Sequence, residues 1–388
     1  MKSSTDVMIV EAVRTPIGRG SPVRGIYRNV SAASLLGTVY RNLTDRARMD
    51  PIGVDCVISG VAQQWGEQGS NLARLAWLRE GLPADTPGVS VDVRCGGSLQ
   101  AVNFGAAQIA SAAHRTVIGA GVEHMGHNDF AKASEVQQRY GTPFSPELLS
   151  IHAIPNQGVA AERIGEKWGI GRGDMDEFAS LSHQRAHTAA AAGLFDREIV
   201  PVVTDEGICR EDQGIRADTT PERLATLKSA FSPAGPVTAG NSSQISDGAA
   251  ALLLASGAAA AEIGLATRAR IIDHVIVGCD PELMLEGPIP ATLRILERNG
   301  MSIGDIDVFE VNEAFASVVL AWERALKPDM QSVNTRGGAI ALGHPLGSTG
   351  ARLLTTLLHT LEDDDKEIGL ATMCCAGGIG IATLIQRL

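Results

Sequence analysis

The feature that most restricts the fold is a repeat between the two ends of the chain. Pro51-Ile52-Gly53-Val54-Asp55-Cys56-Val57 resembles Ser302-Ile303-Gly304-Asp305-Ile306-Asp307-Val308. Val91-Asp92-Val93-Arg94-Cys95-Gly96-Gly97 resembles Val333-Asn334-Thr335-Arg336-Gly337-Gly338, and Thr116-Val117-Ile118-Gly119-Ala120 corresponds to Glu367-Ile368-Gly369-Leu370-Ala371. Three matches in one order, roughly 240 to 250 residues apart, predict two copies of one unit with further material inserted between them. Apolar or β-branched runs at Val7–Val13, Asp55–Ile58, Thr116–Ala120, Arg270–Val277, Asp307–Val311 and Ile368–Met373 alternate with longer helical stretches. Such alternation places the unit in the α/β class with a largely parallel sheet. The expected division is residues 1–120 plus 245–268 for the first half, 121–244 for an inserted loop domain over a site, and 269–388 for the second half. The insertion is rich in Gly, Pro and charge, with a helix over Asp174–Ala192 and no strong strand series.

Composition removes several function classes. A chain of 388 residues buries roughly three quarters of its unfolded surface and needs no metal or disulfide staples. Its net charge of -11, with no basic cluster to offset it, argues against nucleic-acid and anionic-membrane partners. The six Cys are scattered and include no CxxC pair, which reads as free thiols in a reducing compartment, with no zinc site. The apolar stretch near the start is broken by Glu11 and Arg14, and no later segment supplies about eighteen uninterrupted apolar residues. A cytoplasmic protein is expected.

Four segments concentrate residues suited to chemistry. Arg94-Cys95-Gly96-Gly97-Ser98 joins a strand to the helix-like stretch Leu99–Ala113, so Cys95 sits near a helix N-terminus, where the dipole and free N–H groups favour a thiolate or an oxyanion. The same turn also suits an inert buried Cys. Asn312-Glu313 follows a strand and reads either as a helix cap or as part of a site. His344-Pro345 lies in a Gly-rich run from Gly337 to Gly350 that permits close backbone approach, which fits a structural or a catalytic His. Cys374-Cys375 precedes Ala376-Gly377-Gly378 and reads as packing or as an acid/base thiol. Gly119-Ala120-Gly121 keeps only GxG of a dinucleotide fingerprint and carries little weight.

Taken together, Cys95-Gly96-Gly97-Ser98-Leu99-Gln100-Ala101, Asn312-Glu313-Ala314-Phe315-Ala316, Gly337 to Pro345 and Thr372-Met373-Cys374 resemble the thiolase family. Ala12 to Gly18 and Thr238 to Ala250 are similar to it as well, so the resemblance covers essentially the whole chain. It implies a thiolase fold of two duplicated βαβαβαββ halves in five layers, α/β/α/β/α, with the inserted loop domain over the CoA entrance. It also implies cleavage of a 3-ketoacyl-CoA by CoA, or the reverse Claisen condensation, through an acyl-enzyme. By resemblance Cys95 is the acylated nucleophile, His344 takes its proton, Cys374 handles the proton on the acetyl-CoA carbanion, and Asn312 holds a water that completes an oxyanion hole with His344. Arg216, Leu227, Phe231 and Ser243 fall on positions lining the CoA tunnel, and Phe315 borders the pantetheine end. Acyl-CoA and CoA are the implied partners, in a homodimer or homotetramer, with no cofactor and no metal.

Two departures stand out. Gly97 occupies the place where the family usually has Ser, and Ser98 follows it. The final motif is usually Cys-x-Gly, but counting from Cys374 puts Ala376 in the Gly position, whereas counting from Cys375 restores Gly377. Cys374 is preferred because the flanking sequence fits without a gap, and Cys375 is the reserve. These departures leave a second reading open, a catalytically lapsed thiolase-fold protein that binds acyl-CoA or lipid or serves as an assembly subunit. The segment His124–Gln157 fits the family pattern least and is the expected seat of acyl specificity, with room for a bulky group.

Overall fold

A computed structural model describes residues 6–388, in which twelve strands form. They are β1 (Val7–Arg14), β2 (Gly18–Arg19), β3 (Cys56–Gly60), β4 (Gly88–Val91), β5 (Thr116–His124), β6 (Val202–Thr204), β7 (Gly207–Cys209), β8 (Ser246–Ser256), β9 (Ala269–Gly278), β10 (Val308–Val311), β11 (Ile368–Cys375) and β12 (Ile379–Arg387). The main sheet runs β10-β11-β12-β9-β1-β8-β5-β3-β4, with β2 added beside β8. It falls into two equivalent halves. In the first, β4, β3 and β5 are parallel, and β8 and β1 follow antiparallel. In the second, Val333 bridges β10 in parallel, β10 and β11 are parallel, and β12 and β9 follow antiparallel. The halves meet at a seam of two residue pairs between β1 and β9, Met8 with Arg270 and Ile9 with Ala269.

The duplication extends to single hydrogen bonds. A 3-10 turn, Pro51–Gly53 or Ile303–Asp305, precedes β3 and β10 in turn. Asp55 Oδ2 accepts the N–H groups of Arg115 and Thr116, and Asp307 Oδ2 accepts those of Glu367 and Ile368. Each carboxylate thereby ties the start of one parallel strand to its neighbour and satisfies backbone donors at the sheet end.

Five layers follow from where the apolar faces go. The helices Gly97–Ala110 and Thr349–Asp363 lie between the halves, in a core that includes Leu99, Val102, Leu353, Leu357, Leu252 and Met373. The outer face of the first half is covered by the helices Ala32–Ala47 and Leu72–Arg79. The helices Gln157–Trp168, Pro288–Asn299 and Ala316–Leu326 cover the outer face of the second. β5 and β8 are buried along their whole length, as expected of strands covered on both faces. Between them the chain forms mainly helices, with only the short pair β6 and β7 as strand.

Candidate active site

The turn after β4 fixes Cys95. Arg94 takes the left-handed conformation (φ 50°), and its N–H is accepted by Asp92 Oδ1 at 2.8 Å. This brings Cys95 to the N-terminal end of the Gly97–Ala110 helix, only 4% exposed. Burial pushes its thiol pKa up to about 12, against the opposing pull of the N–H groups of Ala376 and of Cys95 itself. Two backbone donors from different halves therefore meet at one sulfur. Gly97 is required by contact, since a Cβ there would lie 2.9 Å from Gly60 Cα, and Ser98 Oγ next to it accepts the Ala351 N–H at 2.9 Å. The hydroxyl one place along thus bonds the helix that follows His344.

His344 is 4% exposed. Its N–H reaches Gln244 O (3.2 Å) and Ser246 Oγ (3.1 Å). The hydrogen-bond network assigns its tautomer. Thr349 Oγ1 donates to Pro345 O at 2.8 Å, so at 2.7 Å from the ring it accepts from Nδ1–H, which leaves Nε2 unprotonated. Burial, with Arg352 nearby, lowers the imidazole pKa to about 3, so it is neutral at working pH. Asn312 Nδ2 lies 3.5 Å from Nε2, and Asn312 Oδ1 is buried with no hydrogen-bond partner. Asn312 is not a helix cap; the next helix begins after Phe315, which makes no side-chain capping bond.

The two adjacent thiols face opposite sides of β11. Cys375 Sγ packs where a Cβ on Gly96 would be, 2.5 Å away, and accepts the Gly96 N–H, which puts it behind the Cys95 turn with Ile381. Cys374 joins the apolar cluster that holds Phe315 and Ala314. Burial raises its pKa well above the usual thiol value, and the nearby Cys95 adds to the rise. The N–H that reaches Cys95 belongs to Ala376, the residue two beyond Cys374.

Of the expected CoA-lining residues, four come together. Phe231 and Phe315 meet edge to face at 5.9 Å, the Ser243 N–H donates to Ala314 O at 3.0 Å, and Leu227 rests against Gly240. Leu227 (39%) and Phe231 (40%) stay exposed, as a wall open to a ligand would be. Arg216 lies on an exposed loop whose backbone N–H is accepted by His183 Nδ1 at 3.2 Å. The sequence reading noted Glu313 beside Asn312 but missed Thr349, whose bond to the ring of His344 five residues back leaves no local signature, and Glu123, whose partner Gly347 lies 224 residues away. Gly158 was also missed; it lets the Gln157–Trp168 helix press on the Phe231 ring, where a Cβ would sit 2.2 Å away.

A buried thiol facing two amide donors, a neutral imidazole with its tautomer fixed and a second thiol on an apolar wall define an enzyme of covalent acyl chemistry. Residues 7–258 match the family described as Thiolase, N-terminal domain, and residues 265–387 match Thiolase, C-terminal domain. The chain is 45% identical over 395 residues to a 3-ketoacyl-CoA thiolase of Erwinia tasmaniensis, covering 98% of this chain and 99% of that protein. It is 42% identical over 391 residues to Steroid 3-ketoacyl-CoA thiolase FadA6 of Mycobacterium tuberculosis, covering 99% and 95%. Among solved structures it is similar to the dimeric peroxisomal thiolase of Saccharomyces cerevisiae (TM-score 0.91, 37% identity, 100% and 99% covered). It is likewise similar to human mitochondrial 3-ketoacyl-CoA thiolase in complex with CoA (TM-score 0.89, 33% identity, 100% and 99% covered). The chain belongs to the thiolase family. It is an acyltransferase that cleaves a 3-ketoacyl-CoA with CoA or runs the reverse condensation, and the lapsed-subunit alternative finds no support.

Proposed function

We propose that Cys95, His344, Cys374 and Asn312 carry this reaction in two half-reactions. His344 Nε2 takes the Cys95 proton as Sγ attacks the keto carbon. The bond between that carbon and the α-carbon breaks, and Cys374 S–H protonates the departing acetyl-CoA enolate. This leaves an acyl thioester on Cys95, a Cys374 thiolate and a His344 imidazolium. CoA then gives its thiol proton to Cys374 and attacks the thioester, and the Cys95 sulfur leaves with the His344 proton, which restores the starting state. The raised thiol pKa of Cys374 keeps it protonated before the enolate leaves, and the amides of Cys95 and Ala376, which bond the Cys95 sulfur, are the donors assigned to a thioester oxyanion. The unpartnered Asn312 Oδ1 suits it to hold the water of the other oxyanion site.

One observation carries most of this reading, the Thr349 bond that leaves His344 Nε2 free as a base. Intact mass spectrometry after brief incubation with acetyl-CoA or acetoacetyl-CoA tests it. One added acetyl group is expected, absent from Cys95→Ala and slowed in His344→Ala. Exchange of the acetyl-CoA α-protons separates the two thiols, since Cys374→Ala is expected to abolish it and Cys375→Ala to keep it. The reverse pattern would transfer the role to Cys375.

CoA is read as lying along Leu227, Phe231, Ser243 and Phe315, with Arg216 at the mouth for its phosphates. CoA is a substrate, and no cofactor or metal enters the scheme. The working division is residues 1–120 plus 245–268, 121–244 and 269–388, with the first boundary carried on to 124 because β5 runs to His124, in a homodimer or homotetramer in the cytoplasm. The free cysteines suit a reducing compartment, and one structural relative is described as dimeric. Among the described residues no helix is long and apolar enough to cross a membrane.

A further inference from the structure

His344 follows the short helix Ala339–Leu342, and its own N–H is held by Gln244 O and Ser246 Oγ, so the rest of its placement depends on what grips the two ends of that segment. At its start, the Ile340 N–H donates to Glu313 Oε2 at 3.1 Å, and the Gly338 N–H donates to Ser182 Oγ at 3.2 Å. Ser182 Oγ in turn donates to Glu313 Oε2 (2.6 Å), and Asn334 Nδ2 donates to Oε1 (2.9 Å). At its end, the Gly347 N–H donates to Glu123 Oε2 at 2.9 Å. Glu123 is the penultimate residue of β5 in the other half, and it also accepts the N–H groups of Ala62 (2.9 Å) and Gln63 (3.2 Å) and Gln68 Nε2 (2.6 Å).

Both side chains are buried, and both use each oxygen as an acceptor from neutral donors. A fully buried carboxylate is costly unless every lone pair it presents is used. Burial raises the pKa of both, and the three donors that converge on one and the four on the other oppose that rise. A neutral amide in either place would turn an N–H toward existing donors. The carboxylates are therefore matched to the loop, and each loses its fit if the loop moves.

We propose that Glu123 and Glu313 are positioning residues for His344, pinning the two ends of Ile340–Gly347 from opposite halves of the molecule. The inference rests on His344 being the base for Cys95. Neither carboxylate touches the reacting atoms; they act by holding the imidazole within the narrow range in which proton transfer is fast, where misplacement by about 1 Å costs on the order of 100-fold.

The test is a double-mutant cycle on the rate of Cys95 acylation by acetoacetyl-CoA, read by mass spectrometry. Glu123→Gln and Glu313→Gln are each expected to slow acylation at least tenfold, with KM for CoA within twofold of wild type. In a His344→Ala background the same changes are expected to cost nothing further, whereas a general structural role would still slow the residual rate. Should either Gln variant fail to fold, Ser182→Ala and Gln68→Ala each remove one donor from a carboxylate. They are expected to give a smaller loss of rate, again with KM unchanged and again silent without His344. Wild-type acylation in the Gln variants, or an equal loss in both backgrounds, overturns the proposal while leaving His344 as the base. Unimpaired acylation in His344→Ala alone would instead overturn the reading on which it rests.

Discussion

Thr349 decides which nitrogen of His344 carries the proton, and a single methyl can undo that choice. In Thr349→Val the Nδ1–H loses its acceptor and the other tautomer competes, so kcat is expected to fall by roughly 10- to 100-fold with KM for CoA little changed. Steady-state kinetics would show the split. Cys95 and His344 also rest as a neutral thiol and a neutral imidazole, since burial lifts one to about 12 and drops the other to about 3. Alkylation of Cys95 by iodoacetamide is therefore expected to climb steadily from pH 6 to 10, without the plateau near neutrality that a thiolate–imidazolium pair would give. The same shift sets a stability trend. With the folded pKa of His344 depressed from 6.5 to about 3, its contribution is present above about pH 6.5 and is lost as pH falls toward 3. The denaturation midpoint of His344→Gln should accordingly lose less on acidification than that of wild type.

At the scale of elements, the repeat was legible because its strand starts share short signatures such as the Asp55 and Asp307 turns. Its first and third matches were legible only to within one residue, the first because the sequence comparison sets Asp55 against Ile306 where the structure makes it the equivalent of Asp307. Asp55 N–H reaches Thr116 O and Asp307 N–H reaches Ile368 O, so Thr116 is equivalent to Ile368, one place beyond the Glu367 that the sequence comparison pairs with it. Such a slip exchanges the two faces of a strand, and letters alone do not register it. β8 was also hidden: Ser246–Ser256 is Ala- and Leu-rich and buried on both faces, so it lacks the alternation that marks a strand. Cys95, Asn312, His344 and Cys374 could be singled out because each lies beside a turn with its own local signature. Glu123 could not, since its bond to Gly347 spans 224 residues. Gly97 shows contact overruling family habit. Gly97→Ser would force a Cβ to within 2.9 Å of Gly60 Cα, and is expected to lower stability by about 1–3 kcal/mol, read from the denaturant midpoint.

Over the whole molecule, the proposed site draws on both halves, with the proposed nucleophile Cys95 from one and the proposed acid and base, Cys374 and His344, from the other. Within the segment from residue 124 to 157, the helices Phe130–Tyr140 and Pro146–Ile151 bury no residue and leave Tyr140 and Ile151 about three-quarters exposed. On the proposal that this exposed apolar segment sets acyl specificity, 3-ketoacyl-CoAs bulkier than acetoacetyl-CoA are expected to be turned over. A substrate panel measures this, and activity confined to acetoacetyl-CoA would rule it out.

The position of the insertion also governs how the protein is made. β5 ends at His124, but its antiparallel neighbour β8 does not begin until Ser246. At roughly 5–20 residues per second, a ribosome takes on the order of 6 to 24 seconds to bridge that gap. Throughout that interval one edge of a strand destined for complete burial has no partner, a template for aggregation that a chaperone would be expected to shield.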